Sequence, residues 1–496
     1  MYDVLKSVVH HSAVYGIGTV LNRIVGFLLI PVYTHYLTTT DYGTIELIEL
    51  TTYITGMFLA AGISYSVLRF YYDADTVEEK RLVVSSAHIS TLAISLVFGS
   101  SLVLFAPSVS NMVFESQDNG GLFRLAFTTL ILSVASEAPM GYIRAQQKSV
   151  LFTSIALARL ALSLTLNIVF LASFGWGIRG IILSALITQV LTTIVVSSYT
   201  FWHTGAGLSH ARIREMIAYG LPMIPGALSL YILNFADRYL LPRYSSLSEL
   251  GIYSLGYRFG MVVGPLVTEP FMAIWIPKMF EIAKRPDATT IYANMLTYFL
   301  LVETFIGLGI AVLIQDVLGF MSAPEFHSAY QVVPIIVLAY VLWGLSYHVR
   351  VGIMLAKRTK YIAYIMGAGA LCNVVLNLLL IPRMGSWGAA LATLAAYLLV
   401  LVLTYFVSRR FLSVDYQFVR ILKVLSIAAL IYTLSRGLSM DPILLRIGLR
   451  IGSVMTFPLL LLVVGFYREE EKRKVRELLL RARSEVGRRM TRKSRS

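Results

Sequence analysis

Six arginines stand inside long apolar runs of this sequence: Arg23, Arg159, Arg238, Arg258, Arg350 and Arg450. A charge at the centre of a membrane helix costs about 2.5–3.5 kcal/mol on insertion scales, so each is a candidate for function. A guanidinium is suited to holding an anion, because its planar fork meets two phosphate or carboxylate oxygens at once. Arg23 lies near the middle of the first run, next to Asn22 and ahead of Gly26, and can bind an anion or pair with a carboxylate. Arg159 sits about ten residues into its run, too deep for easy snorkelling, which favours a cavity wall. Arg258 and Arg350 lie nearer run ends, where cavity lining and snorkelling are equally open. Arg238 follows Asp237, and an ion pair is its plainest reading. Arg450 lies in the last run and is given no role.

The carboxylates in or beside these runs are Glu46, Glu49, Glu137, Asp237, Glu269 and Glu303. Glu303 is the deepest; it can exchange a proton or, more simply, pair with an arginine. Glu303, Glu269, Asp237 and Arg238 therefore form the set expected to serve ion coupling or charge pairing. Glu46 and Glu49 read as residues at the opening of a helix, where the dipole favours them without a special task. The segment GLPMIPG offers a hinge at Gly220, Pro222 and Pro225, since proline removes a backbone hydrogen bond and permits a bend. Ordinary helix-start prolines fit it as well.

The elements that position these groups follow from composition. Of 496 residues, 57% are hydrophobic and 14% charged, against about 25% charge in a soluble domain. Such a chain must turn most of its surface to lipid. A spanning helix needs about 20 apolar residues, and roughly fourteen such runs occur, from 12–36 to 445–466. They include 45–68, 291–315, 361–381 and 388–408, with the longest loops expected at 107–122 and 316–330. The fold class is all-α and polytopic. Thirty of the 42 basic residues fall on one side of these runs and six on the other, which places both termini in the cytoplasm by the positive-inside rule. The same rule accounts for the net charge of +15 without nucleic acid. Residues 467–496 read as a basic amphipathic tail against anionic lipid.

The chain also repeats itself. Asn167 to Gly175 and Asn377 to Gly385 have the same spacing, each followed by a Trp-Gly pair. RAQQKSVLFTSIA (144–156) matches LAKRTKYIAYIMG (355–367), Tyr15-Gly16 matches Tyr219-Gly220, and the expected turn Asp41-Tyr42-Gly43 matches Glu249-Leu250-Gly251. The offsets lie between 204 and 211. Two parallel six-helix bundles follow, 1–203 and 204–410, with helices 13 and 14 at 411–466. Facing bundles can enclose a cavity and rock to expose it to either side.

NRIVGFLLIPVYTHYLTTTDYG (22–43) and DRYLLPRYSSLSELGIYSLGYRF (237–259) resemble signatures of the polysaccharide and O-antigen flippases, within the multidrug/oligosaccharidyl-lipid/polysaccharide exporter superfamily. The resemblance covers roughly 1–410. It implies a cationic lumen and a polyprenyl-diphosphate-linked oligosaccharide as cargo, moved from inner to outer leaflet of a bacterial-type inner membrane. Arg23 matches the family's basic residue in its first helix, and Arg159, Arg258 and Arg350 join it as candidates for the diphosphate. The expected partners are the lipid-linked substrate, membrane lipids and polysaccharide-assembly proteins. No cofactor is expected: the chain lacks a phosphate-binding loop and a Cys/His cluster, and its one cysteine is Cys372. Two rivals are an ion-coupled multidrug exporter of the same superfamily and a membrane glycosyltransferase or polymerase. The second calls for a large extramembrane loop, which the spacing does not provide.

Overall fold

Thr38 starts a helix earlier than hydropathy suggests. Its hydroxyl accepts the Asp41 amide while the Asp41 carboxylate accepts the Thr38 amide, a reciprocal cap that satisfies two otherwise orphan donors. The computed structural model describes residues 27, 29–60, 62–438, 442–469 and 471–473. Among them every regular element is a helix. In chain order these are α1 (Thr39–Leu59), α2 (Ile63–Asp73), α3 (Val77–Leu104), α4 (Ala106–Phe114), α5 (Gly120–Ala145) and α6 (Ser149–Ile168). There follow α7 (Gly177–Thr204), α8 (His210–Gly220), α9 (Ile224–Tyr244), α10 (Leu247–Gly260), α11 (Glu269–Ile282) and α12 (Ala288–Met321). The last are α13 (Val333–Val349), α14 (Val351–Leu355), α15 (Lys360–Arg409), α16 (Phe418–Arg436), α17 (Ile443–Met455) and α18 (Phe457–Val463). Eleven helical stretches among the described residues are long and apolar enough to cross a membrane. The protein is a polytopic helical membrane protein.

Several boundaries differ from the hydropathy reading, because helices run on past the apolar stretch that lipid demands. The expected run 45–68 is two helices, parted at Gly62, whose φ of 71° suits glycine. The expected loop 107–122 holds α4, with Pro107 in its first turn, where a missing amide costs nothing. The expected loop 316–330 is the end of α12 followed by a 3-10 turn, Pro324–Gln331. The runs 361–381 and 388–408 join in α15, which breaks at Gly385 (φ 54°, ψ −131°). Asp41-Tyr42-Gly43 is no turn but the first turn of α1.

Local features recur at the offsets seen in the sequence. The Thr38 cap of α1 has a counterpart in Ser246, whose hydroxyl accepts the Glu249 amide. Helix α5 ends with Gln147 at φ 56° and the Lys148 amide on the Ile143 carbonyl; α14 ends with Lys357 at φ 55° and Arg358 on Ile353. Both are left-handed caps that satisfy the last carbonyls of a helix. Gly175 and Gly385 both take positive φ, and Asn167 and Asn377 are both buried.

The chain divides into two compact units. The first holds the described residues up to Arg258 with 317–332 and 360–400. In it α5 packs between α3 and α7, and Phe123, Phe127, Leu130 and Val134 close on Ile48, Leu59 and Ile182. The second holds 259–316, 333–359 and the described residues from Leu401 onward. Its buried polar joint is Asp316 on α12, bound by Arg446 Nε at 2.8 Å and Arg450 Nη1 at 2.5 Å from α17. Arg450, given no role in the sequence, is thus an anchor. Removing one partner of a buried ion pair costs about 3–5 kcal/mol, since the other charge is left uncompensated. Asp316→Ala is expected to lower thermal stability in detergent by that order, well beyond Asp73→Ala, which breaks an exposed pair with Arg69. Equal melting shifts would show that the joint adds no cohesion.

Candidate functional site

Helix α1 touches α8–α10 at two places, and glycine makes both possible. Near its start, a Cβ on Gly43 would lie 2.1 Å from the Leu247 carbonyl oxygen, and one on Gly251 would lie 2.0 Å from that of Thr39. Beyond its other end, a Cβ on Gly62 or Gly220 would fall within 2.3 Å of the other's backbone. Small residues let helix backbones meet where lipid supplies no hydrophobic drive. Hydroxyl contacts run alongside: Thr39 to Ser248 at 2.7 Å, Thr51 to Tyr239 at 3.1 Å, and the Tyr231 hydroxyl donating to the Leu50 carbonyl at 2.9 Å.

A charge network lies next to the first contact. Glu46 is buried between Arg238 Nε at 2.9 Å and Arg258 Nη2 at 3.0 Å; Arg258 also reaches Glu49 at 3.4 Å. Arg238 is only 2% exposed, with Asp237 at 3.6 Å and the Tyr257 ring 4.2 Å from its guanidinium carbon. Asp237 accepts from the Tyr253 hydroxyl at 2.5 Å. The helix-dipole reading of Glu46 and Glu49 is corrected by this geometry. With α1 starting at Thr39 the two fall in its second and third turns, beyond the reach of the dipole, and Glu46 is a buried counter-ion.

Between the two glycine contacts lies a cavity of about 660 Å³, walled by α1, α5, α6, α7 and the start of α9. Ile45, Ile48, Met57, Leu130 and Ile182 make much of its wall apolar, while Glu49, Glu137, Arg144, Arg159 and Gln189 supply polar groups. A smaller cavity of about 300 Å³ shares Glu137, Arg144, Arg159 and Gln189. Gln189 is held by its amide nitrogen, which donates to Ser136 at 3.1 Å and Thr193 at 3.2 Å. Its buried carbonyl oxygen has no partner among the described residues. Such a wall can bind an anion through the guanidiniums and a hydroxyl through Gln189.

The expected site residues are thus scattered. Arg159 lines the cavity. Arg258 is in the charge network, and Arg23 lies outside the described residues. Arg350 follows α13 in the second unit, with its guanidinium carbon 3.6 Å from the Tyr347 ring centroid. Asp237 and Arg238 belong to the charge network. Glu269 opens α11 and is exposed. Among the described residues no arginine pairs with Glu303, which accepts from Thr268 at 2.5 Å; Arg23 lies outside them. Helix α8 stops at Gly220, a 3-10 turn covers Leu221–Met223, and Pro225 sits in the first turn of α9. Sequence reading passed over Arg144, assigned to a loop, and Gln189, one polar residue in an apolar run.

Residues 8–283, more than half of the chain, match the family described as polysaccharide biosynthesis protein. The chain is 26% identical over 156 residues to the EPS I polysaccharide export inner membrane protein EpsE of Ralstonia nicotianae and, equally, of Ralstonia solanacearum. The match covers 31% of this chain and 36% of each relative's length. Among solved structures, the lipid II flippase MurJ in an inward closed conformation superposes with a TM-score of 0.76 at 14% identity, over 92% of this chain and 99% of that one. An inward-facing MATE multidrug resistance transporter gives 0.60 at 12% identity, over 81% and 94%. The fold is that of these transporters, and the chain belongs to the polysaccharide biosynthesis protein family.

Proposed function

We propose that this protein flips a polyprenyl-diphosphate-linked oligosaccharide from the inner to the outer leaflet of a cytoplasmic membrane, with both termini in the cytoplasm. The observation that carries the reading is the cavity with Arg144 and Arg159 in its lining. Two guanidiniums at a site walled by membrane helices suit a diphosphate, and the Gln189 carbonyl suits a sugar hydroxyl. The polysaccharide-export name of the Ralstonia relatives supports a glycan cargo. Alternating access by the two repeats, 1–203 and 204–410, would expose the cavity in turn, with Gly220, Pro222 and Pro225 as the bend. The apolar share of the cavity wall favours a second reading, export of a lipophilic cation.

The test uses liposomes holding the purified protein and a polyprenyl-diphosphate oligosaccharide, with leaflet exposure followed by an impermeant sugar-modifying reagent. Wild type is expected to speed exposure over empty liposomes, and Arg159→Ala to slow it at least about tenfold, the loss of one charge-assisted bidentate contact of roughly 1.5–3 kcal/mol. Rates equal to empty liposomes across several glycans, with efflux of a cationic dye instead, would replace this reading by drug export.

A further inference from the structure

The second unit buries a carboxyl that the cavity of the first does not use. Glu303 is 0% exposed on α12. One oxygen accepts from Thr268, at the end of the π turn Gly264–Thr268 that leads into α11. The other oxygen has no partner among the described residues. Among the described residues no salt bridge reaches Glu303, whereas Asp316, farther along the same helix, is paired with Arg446 and Arg450. On the facing helix the residue against Glu303 is Gly344, where even a methyl group would come within 2.2 Å of the carboxyl.

One turn from that contact lie Phe299 on α12 and the imidazole of His348 on α13. Phe299 precedes Glu303 by four residues and His348 follows Gly344 by four, and the two rings lie 6.4 Å apart. His348 is 0% exposed, stacked on Trp275 of α11 at 4.4 Å, and neither ring nitrogen has a partner among the described residues. The Trp275 indole nitrogen and the Thr304 hydroxyl are likewise buried and without a partner among the described residues. A tight interior normally pairs its polar groups, and unpaired ones call for a reason. Here several gather on α11, α12 and α13 around one carboxyl, beside a π turn of the kind that recurs at functional sites. The other titratable or charged groups on these elements are Glu269, Lys278 and Glu281 on α11, Tyr292, Tyr298 and Asp316 on α12, and Tyr340 and Tyr347 on α13, with Arg350 just after it.

We propose that Glu303 is a proton-binding site of the transport cycle, holding its proton in the conformation seen here and releasing it in another, with His348 as the titratable neighbour that tunes it. A proton fits better than a metal cation, because Gly344 leaves no room on its side of the carboxyl for a coordination shell. An uncompensated carboxylate would be costly in this interior, whereas a protonated one needs no counter-ion.

The first test needs no cargo. The full-length protein in lipid nanodiscs is titrated while the infrared carbonyl stretch of protonated carboxyl groups is recorded. Wild type is expected to show at neutral pH a protonated band that Glu303→Gln lacks, and His348→Asn to shift its midpoint. Identical bands in wild type and Glu303→Gln overturn the site, and an unchanged midpoint removes His348 from it. Should Glu303→Gln not fold, Glu303→Asp serves, with a displaced band expected and an unmoved one overturning the assignment. In liposomes an imposed proton gradient is expected to speed cargo movement about tenfold in wild type and less than twofold in Glu303→Gln. An equal sodium gradient should do neither. Gradient response preserved in the variant, or evoked by sodium alone, overturns the proposal whatever the cargo proves to be.

Discussion

Glu46→Ala is expected to destabilise the protein by about 3 kcal/mol, the lower end of the range for breaking a buried ion pair. The substitution leaves Arg238, 2% exposed, without its closest counter-ion. Asp237 at 3.6 Å remains and softens the loss, and Arg258 keeps Glu49 at 3.4 Å. The measurement is the thermal unfolding midpoint in detergent against Glu78→Ala, which removes an exposed carboxylate in the first turn of α3. Adding Arg238→Met to Glu46→Ala should recover most of the difference, because an apolar side chain of similar length removes the stranded charge. If the single variant melts with Glu78→Ala, or the double variant is worse than the single, the network is not what holds α1 to α9 and α10.

Gly251→Val should act on the same contact by a different force. Its Cβ would meet the Thr39 carbonyl at 2.0 Å and the Gly43 amide at 3.0 Å. Both are backbone, so no side chain can rotate away. Overpacking of this kind costs about 1–3 kcal/mol, and all of it falls on the conformation in which α1 and α10 touch. A shift of about 2 kcal/mol moves a two-state population roughly thirtyfold. In a Cys372→Ser background, a cysteine at position 39 should react with a soluble maleimide much faster when Gly251 is valine. Gly226→Val is the control, since its Cβ would meet nothing within 4 Å. Equal reactivity in both would mean that the glycine contact does not set the closed state, and cargo movement should then be equally unaffected.

The two variants also mark what could be read without coordinates. Gly43 and Gly251 were found as equivalent positions of a repeat, from spacing alone. That they face one another could not be, because a repeat gives correspondence and not contact. Arg159 was separable from Arg258 and Arg350 by depth in its run, a one-dimensional quantity. The Glu46–Arg238 pair joins residues nearly two hundred positions apart, and the Asp316–Arg450 pair spans 134. Hydropathy carries no information about either.

Composition and periodicity by themselves determined the class of this protein: helical, polytopic and internally repeated. In lipid every backbone group must be satisfied within its own segment, so the apolar run is the structural unit and is written in the sequence. Tertiary structure alone decided which charges are counter-ions and which face the cavity. Arg238 and Arg159 are alike as residues in apolar runs. One is neutralised by a helix that the fold brings beside it, and the other, with Arg144, is left on a cavity wall. The difference is made by helix-to-helix distances, which depend on how small residues such as Gly43 and Gly251 let backbones approach, and no local pattern along the chain records that.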